Sequence, residues 1–306
     1  MSAISVDSLH KSFGSTVALE DLSFTVDEGE VFGFLGPNGA GKSTTINVLL
    51  DFVRPTSGNA TVLGFDTVTE TRAIKQRTGV LPEGTDAYDR LTARQHLEFA
   101  IDSKGVEDDP EALLERVGLA DSIDTKAGGY SKGMEQRLML AMALVGEPEL
   151  LILDEPSTGL DPNGAREMRQ IVREEADRGA TVFFSSHSME QVEAVCDRVG
   201  ILRDGEMVAT DSVAGLRDSV DADTTLRVTV DRIDDDALEA VRTIEDVTDV
   251  QVDEGRADPT VVVRCNGSKT AVLSALESNG LEVTDFATEE ASLEDVFQAY
   301  TTEGST

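Results

Sequence analysis

The stretch Gly36-Pro37-Asn38-Gly39-Ala40-Gly41-Lys42-Ser43-Thr44 limits what this chain can fold into more than any other. It has a glycine, four residues and then Gly-Lys-Ser, set between the apolar run Val31 to Leu35 and the apolar-periodic Thr45 to Phe52. That order predicts strand, loop and helix. Glycines 36, 39 and 41 let successive backbone N–H groups converge on one point, where the N-terminus of the next helix adds partial positive charge. An anion of phosphate size fits such a cradle. Lys42 is then expected to reach the β- and γ-phosphates, and the Ser43 hydroxyl to join the coordination of Mg²⁺. The rest of the loop, with Pro37, Asn38, Ala40 and Thr44, is expected to line the same nucleotide. A glycine-rich turn with a chance lysine is the competing reading; nucleotide binding is the working expectation.

With 306 residues the chain has room for about two domains. It carries 59 acidic against 26 basic residues, a formal charge of −33 spread along its length. That balance argues against a nucleic-acid partner, because phosphate contacts need basic surface. It resembles proteins that work in molar salt, where self-repulsion is screened. A merely acidic protein is the alternative. Cys196 and Cys265 are too few and too isolated for a metal cluster and read as buried thiols of a reducing compartment. The apolar runs Leu150 to Leu153 and Val182 to Phe184 are far shorter than the roughly 20 residues that cross a bilayer. No basic segment followed by an apolar one opens the chain, so a cytoplasmic location is expected.

Taken in order, Ile4 to Leu9 and Ala18 to Val26 read as strands of an antiparallel layer. Phe13 lies in that layer; an aromatic there can stack on adenine, although the pattern alone favours packing. Asn59 to Leu63 and Thr78 to Leu81 read as strands, the second followed by Pro82-Glu83-Gly84. A helical insert spans about 84–146, with helices at Thr92 to Ile101, Pro110 to Val117 and Lys132 to Val145. Leu150 to Leu153 is a buried strand that runs into Asp154 and Glu155. At the C-terminal edge of a parallel strand, Asp154 is placed to hold Mg²⁺, and Glu155 to orient and deprotonate a water attacking the γ-phosphate. Helix Asn163 to Arg178 leads to strand Thr181 to Ser185. His187 follows that strand and is placed to offer an N–H to the γ-phosphate. Met189 to Arg198 reads as helix, Val199 to Leu202 as strand and Arg203 to Glu206 as a hairpin turn. Beyond about Asp218 the order βαββαβ and a terminal helix from Ser292 suggest a small ferredoxin-like α+β domain at 218–306, after a first domain at 1–217.

The series Gly36 to Thr44, Glu83, Ser131 to Arg137, Leu150 to Glu155, Ser157 to Asp161 and His187 resembles the ATP-binding subunit of an ABC transporter over roughly Ile4 to Arg217. Tyr130-Ser131-Lys132-Gly133-Met134-Glu135-Gln136-Arg137 is similar to the family signature LSGGQ. The resemblance implies an α/β P-loop ATPase fold with an antiparallel β layer and a helical subdomain. It implies that Ser131 and Gly133 meet the γ-phosphate of ATP held on a second subunit, that Phe13 is the adenine-stacking aromatic, and that Asp161 is the acid touching the opposite subunit. It further implies ATP and Mg²⁺ as ligands, Ser43, Glu83 and Asp154 around the metal, and Lys42, Glu155 and His187 as the catalytic set. Glu83 stands where the family usually has glutamine, and cannot donate an amide hydrogen bond. Lys132 and Met134 replace a glycine and a glutamine of the signature. These substitutions resemble subunits that pair with ABC-2-type permeases, often exporters. The implied partners are a separate membrane permease, docked against the helical insert near Glu83, and a second ATPase subunit, identical or related. The implied location is peripheral, on the inner face of the cell membrane. The segment Ser292 to Phe297 looks like part of the accessory domain that many such subunits carry.

Overall fold

The computed structural model describes residues 1–219, 224–253, 259–265, 268–289 and 293–302. The chain divides into two compact units, Met1–Val213 and Ala214–Thr306. The first unit runs β1 (Ser2–Phe13), β2 (Thr16–Asp27), β3 (Val31–Leu35), α1 (Lys42–Leu49), β4 (Ser57–Val62), β5 (Phe65–Asp66), α2 (Thr71–Arg77) and β6 (Thr78–Leu81). It continues with α3 (Ala93–Lys104), α4 (Pro110–Arg116), α5 (Lys132–Leu144), β7 (Leu150–Asp154), α6 (Pro162–Asp177), β8 (Thr181–Ser186), α7 (Met189–Val195), β9 (Arg198–Arg203) and β10 (Glu206–Ser212).

Two sheets form from these strands. One is antiparallel, in the order β2-β1-β4-β5; the other has the order β10-β9-β3-β8-β7-β6. In the second sheet β9, β3, β8, β7 and β6 are parallel and β10 joins β9 antiparallel. β3, β7 and β8 are buried along their whole length, which is why they read as continuous apolar runs. Phe24 of β2, Phe32 and Phe34 of β3 and Phe183 of β8 stack with centroids 5.0 to 6.1 Å apart. This cluster locks the antiparallel layer onto the parallel sheet, and each buried ring contributes on the order of 2–3 kcal/mol. Parallel pairing has a direct consequence for chemistry. The C-terminal ends of β3, β6, β7 and β8 lie on one edge, so the residues that follow them are gathered there.

Between β6 and β7 lies the helical part, α3, α4 and α5. Thr92 and Gln95 form a reciprocal capping box on α3, Asp109 caps α4, and Ser131 caps α5. The chain leaving β6 is tied to α3 by His96, which is 2 % exposed. Its Nε2 accepts the Tyr88 N–H at 2.9 Å while Nδ1 bonds the Thr92 carbonyl at 2.8 Å. The first of these contacts assigns the proton to Nδ1.

α8 (Val213–Ser219) carries the chain across the division between the units. The second unit comprises β11 (Thr224–Val230), α9 (Asp235–Arg242), β12 (Val247–Asp253), β13 (Thr260–Cys265), α10 (Lys269–Ser278), β14 (Val283–Glu289) and α11 (Leu293–Thr302). Its antiparallel sheet has the order β12-β13-β11-β14. That order, with α9 and α10 as the crossovers, is the ferredoxin-like arrangement. Alternate residues Leu226, Val228 and Val230 of β11 and Val261, Val263 and Cys265 of β13 bury their side chains with Ala237, Leu238 and Val241 of α9 and Val272 and Leu276 of α10.

Two expectations need correction. Met189 to Arg198 is not one helix: α7 stops at Val195, and Cys196 is extended at φ −89° and ψ 145°. The cause is tertiary. Asp197 accepts the Val31 N–H at 2.8 Å and Arg198 pairs with Phe32 as β9 begins, so the chain is drawn into the sheet three residues early. The last strand of the second unit starts at Val283 and not at Leu281, whose side chain turns into the core while its N–H bonds the Leu276 carbonyl at 3.2 Å. The hairpin turn expected at Arg203 to Glu206 is present, with Asp204 and Gly205 at positive φ, and β10 follows it. Ser292, proposed as the start of the terminal helix, lies outside the described residues.

Candidate active site

The loop after β3 folds as its glycines require. Gly41 sits at φ +110°, and a Cβ there would lie 2.8 Å from the Ala18 carbonyl, so both backbone angle and space exclude a side chain. α1 starts directly after it, with no side-chain cap on the N–H groups of its first turn. Lys42 is 7 % exposed, and its Nζ donates to the Gly36 carbonyl at 2.6 Å. A nearly buried ammonium held by carbonyls suits an incoming anion. The adjoining cleft is lined by the loop residues Pro37, Asn38, Gly39, Gly41, Lys42, Ser43 and Thr44 together with Ala18, Glu83 and Glu155. Residues from four separate parts of the chain thus meet at one opening.

Glu155, which lines this cleft, and Asp154, which precedes it at the end of β7, are each 5 % exposed. The Ser185 hydroxyl donates to Asp154 Oδ1 at 2.5 Å, and Ser186 Oγ lies 3.5 Å from Glu155 Oε2. Glu155 has φ +48°, a left-handed conformation rare for a side chain of this kind and costing about 1–3 kcal/mol. Its N–H bonds the Ser185 carbonyl at 3.1 Å, which fixes the turn against β8. His187 Nδ1 lies 2.8 Å from Glu155 Oε2, and the imidazole is 64 % exposed. The carboxylate is therefore held from behind while the ring stays open to solvent.

Burial pushes the Asp154 carboxyl above its ordinary range; the Ser185 hydrogen bond pulls the other way, the Glu83 charge raises it further, and Lys42 and the Ser43 hydroxyl oppose. These four neighbours place Ser43 and Glu83 with Asp154 in one electrostatic unit. A cation there relieves the desolvated carboxylate, and the donors are hard oxygens, so the set fits Mg²⁺. Among the described residues no three His, Cys, Asp or Glu side chains form a preformed cage. A Mg²⁺ site does not require one, because that ion retains several waters.

The sign of the Asp154 shift sets how stability depends on pH. A carboxyl with its folded pKa raised above the unfolded value stabilises the fold fully at pH below the unfolded value, and that stability is lost as pH rises through the folded one. Ionised Asp154 is therefore a burden at pH 7. Asp154→Asn is expected to raise the unfolding temperature of the nucleotide-free protein at pH 7, with the gain shrinking as pH falls, while abolishing Mg²⁺-dependent turnover. A lower unfolding temperature at pH 7 contradicts this account.

The other expected residues are not among those that line the cleft. Ser131 caps α5 by accepting the Met134 N–H at 3.3 Å, and Gly133 follows in the first turn. Asp161 caps α6 by accepting the Gly164 N–H at 2.8 Å, so its side chain has a local structural role within its own subunit. Phe13 ends β1 and is 50 % exposed, with Lys11 Nζ 4.7 Å from its ring centre. It is not among the residues lining the cleft around Lys42. Ser185, Ser186 and Ala18 were not foreseen. The signal for the two serines is the pairing of β7 with β8, which sets Asp154 against Ser185 and is invisible until strand order is known.

The comparisons with known proteins converge on one family. The "ABC transporter" family model matches residues 19–158, and the "ATP-binding protein DrrA1-3-like, C-terminal domain" model matches 212–301. The chain is 38 % identical over 256 residues to the linearmycin resistance ATP-binding protein LnrL of Bacillus subtilis, covering 82 % of each chain. It is 43 % identical over 201 residues to a fluoroquinolones export ATP-binding protein of Mycobacterium tuberculosis, covering 65 % of this chain and 67 % of that protein. A solved structure described as the ATP binding subunit of an ABC transporter superposes with a TM-score of 0.66 at 30 % identity, over 71 % of this chain and 92 % of that one. The first unit has the P-loop ATPase fold of these proteins, and the chain belongs to the ATP-binding subunits of ABC transporters.

Proposed function

We propose that this subunit hydrolyses ATP at a site built from its Gly36 to Thr44 loop, Asp154, Glu155 and His187, and that the energy drives a separate permease that exports its cargo. The observation that carries the reading is the meeting of Lys42, Ser43, Glu83, Asp154 and Glu155 at one edge of the parallel sheet. Lys42 and the loop N–H groups hold the phosphates, and Phe13 offers a ring for adenine. Ser43, Asp154 and Glu83 hold Mg²⁺, which when bound neutralises developing charge on the phosphates. Glu155 takes a proton from the attacking water and orients it, and His187, bonded to Glu155, turns its other ring nitrogen to the γ-phosphate.

Two subunits, identical or related, close head to tail. Each γ-phosphate is then met by Ser131 and Gly133 of the opposite chain, with Asp161 at the seam. Loss of that phosphate removes the differential binding that favours the closed pair. Residues 1–217 act as the ATPase domain, with its helical part at about 84–146, and 218–306 as an accessory domain. Among the described residues no helix is long and apolar enough to cross a membrane, so the pathway is assigned to another chain. The permease docks beside the helical part near Glu83, where Tyr88 and Phe99 are exposed around a shared groove. On this reading the subunit works at the cytoplasmic face of the cell membrane, with no nucleic-acid partner. The linearmycin resistance and fluoroquinolone export relatives support the outward direction.

Tagged Glu155→Gln protein purified from native membranes in molar KCl with ATP is expected to bring down one multi-spanning protein in near-equal amount. Recovery with ribosomes or DNA, and none with a membrane protein, contradicts the transporter reading.

A further inference from the structure

Pro156, the residue that follows Glu155, is tied to α5, the helix that Ser131 caps. Gln136 lies on α5, five residues after the cap Ser131, and its side-chain Nε2 donates to the Pro156 carbonyl at 2.9 Å. The first turn of the same helix rests on the same stretch: a Cβ built on Gly133 would lie 3.4 Å from the Gly159 carbonyl and 3.7 Å from the Leu160 side chain. Glu155 needs such support, because its left-handed backbone persists only where the surroundings over-determine it. On the sheet side the support is the Glu155 N–H bonded to Ser185; within the turn it is the Thr158 N–H bonded to the Glu155 carbonyl at 3.1 Å. On the helical side it is Gln136.

We propose that Gln136 is a positioning residue that transmits the placement of α5, with Ser131 and Gly133 in its first turn, to the carboxylate of Glu155 in the same chain. This rests on the reading of Glu155 as the group that orients the attacking water. In the closed pair Ser131 and Gly133 meet one ATP while Glu155 acts on the other. The Gln136 bond therefore makes each chain's hydrolysis respond to occupancy of the site opposite. Glutamine suits this position because its neutral amide donates to a carbonyl that carboxylate or thioether side chains of like size cannot satisfy. Losing the bond leaves the Pro156 carbonyl without this donor and lets the peptide beside Glu155 shift, and displacement by about 1 Å at a reacting group costs up to about a hundredfold in rate.

The test compares wild type, Gln136→Met and Gln136→Glu, each alone and combined with Glu155→Gln, by steady-state phosphate release and fluorescent-nucleotide binding in molar KCl. Both single variants are expected to lose about tenfold in kcat with KM and nucleotide affinity within about twofold of wild type, and with an unfolding temperature lowered by no more than a few degrees. The ATP dependence is expected to become less cooperative. Neither substitution should slow Glu155→Gln further, because both act on one carboxylate. Normal kcat in the Gln136 variants beside a stalled Glu155→Gln overturns this inference and leaves the Glu155 role standing. Losses that add to those of Glu155→Gln, or that come with general unfolding at the assay temperature, also overturn it. Normal turnover by Glu155→Gln removes the Glu155 role itself, and the inference with it.

Discussion

Glu155→Gln is expected to bind ATP as wild type does while turnover falls at least about a hundredfold. The amide keeps the shape of the carboxylate, can accept from Ser186 and His187, and leaves the Glu155 backbone in place. It removes the negative charge and the basic lone pairs that take a proton from water. Ground-state binding is untouched because the phosphate contacts come from the loop after β3, on a different strand. ATP that binds and is not cleaved holds the two subunits together. Phosphate release and bound nucleotide per chain, measured on the same sample, separate the two effects. Turnover within a few-fold of wild type contradicts the role given to Glu155.

The second large effect is expected at Lys42. Its ammonium is nearly buried and donates to the Gly36 carbonyl, an acceptor that an incoming phosphate can replace. Charge-assisted bonds to phosphate from such a position are worth about 2–5 kcal/mol when one partner is truncated. Lys42→Ala is therefore expected to weaken ATP binding by at least about thirtyfold, with a smaller effect on nucleosides that lack phosphates. The fold should survive, because the substitution empties no apolar core and removes a desolvated charge. Affinity retained within about threefold in an equilibrium nucleotide titration contradicts the phosphate-loop assignment.

Much of the architecture is legible in the chain because its strongest signals are local. Val31 to Leu35, Leu150 to Leu153 and Thr181 to Ser185 are short apolar runs bounded by turn residues, and each is a strand buried on both faces. Asp109, Ser131 and Asp161 are capping residues at helix starts, and Pro110 and Pro162 stand at first helical positions, so those boundaries fall within a residue or two of the pattern. What is not legible depends on partners far along the chain. The end of α7 is set by Asp197 reaching Val31, 166 residues away. The start of β14 is set by Leu281 packing under α10.

The candidate site divides in the same way. Gly36 to Thr44, Asp154 and Glu155 announce themselves because each carries its chemistry within a few residues. Ser185 and Ser186 do not, since a serine at a strand end is common and its value depends on which strand lies beside it. Gln136 is hidden for a different reason. It sits in a segment already read for the phosphate contacts of Ser131 and Gly133, and its partner is a backbone carbonyl that no sequence pattern marks. Asp161 shows the converse: its local capping bond is plain in one subunit, and any contact with a second subunit needs that subunit to be present.

The central claim is that two chains share each ATP, and the most direct measurement is the solution mass of Glu155→Gln by light scattering in molar KCl with Mg²⁺, first with ATP and then with ADP. The account predicts twice the chain mass with ATP and a single chain mass with ADP, and the doubling should be lost when Ser131 is replaced by Arg. A single chain mass with ATP bound at one nucleotide per chain would contradict it.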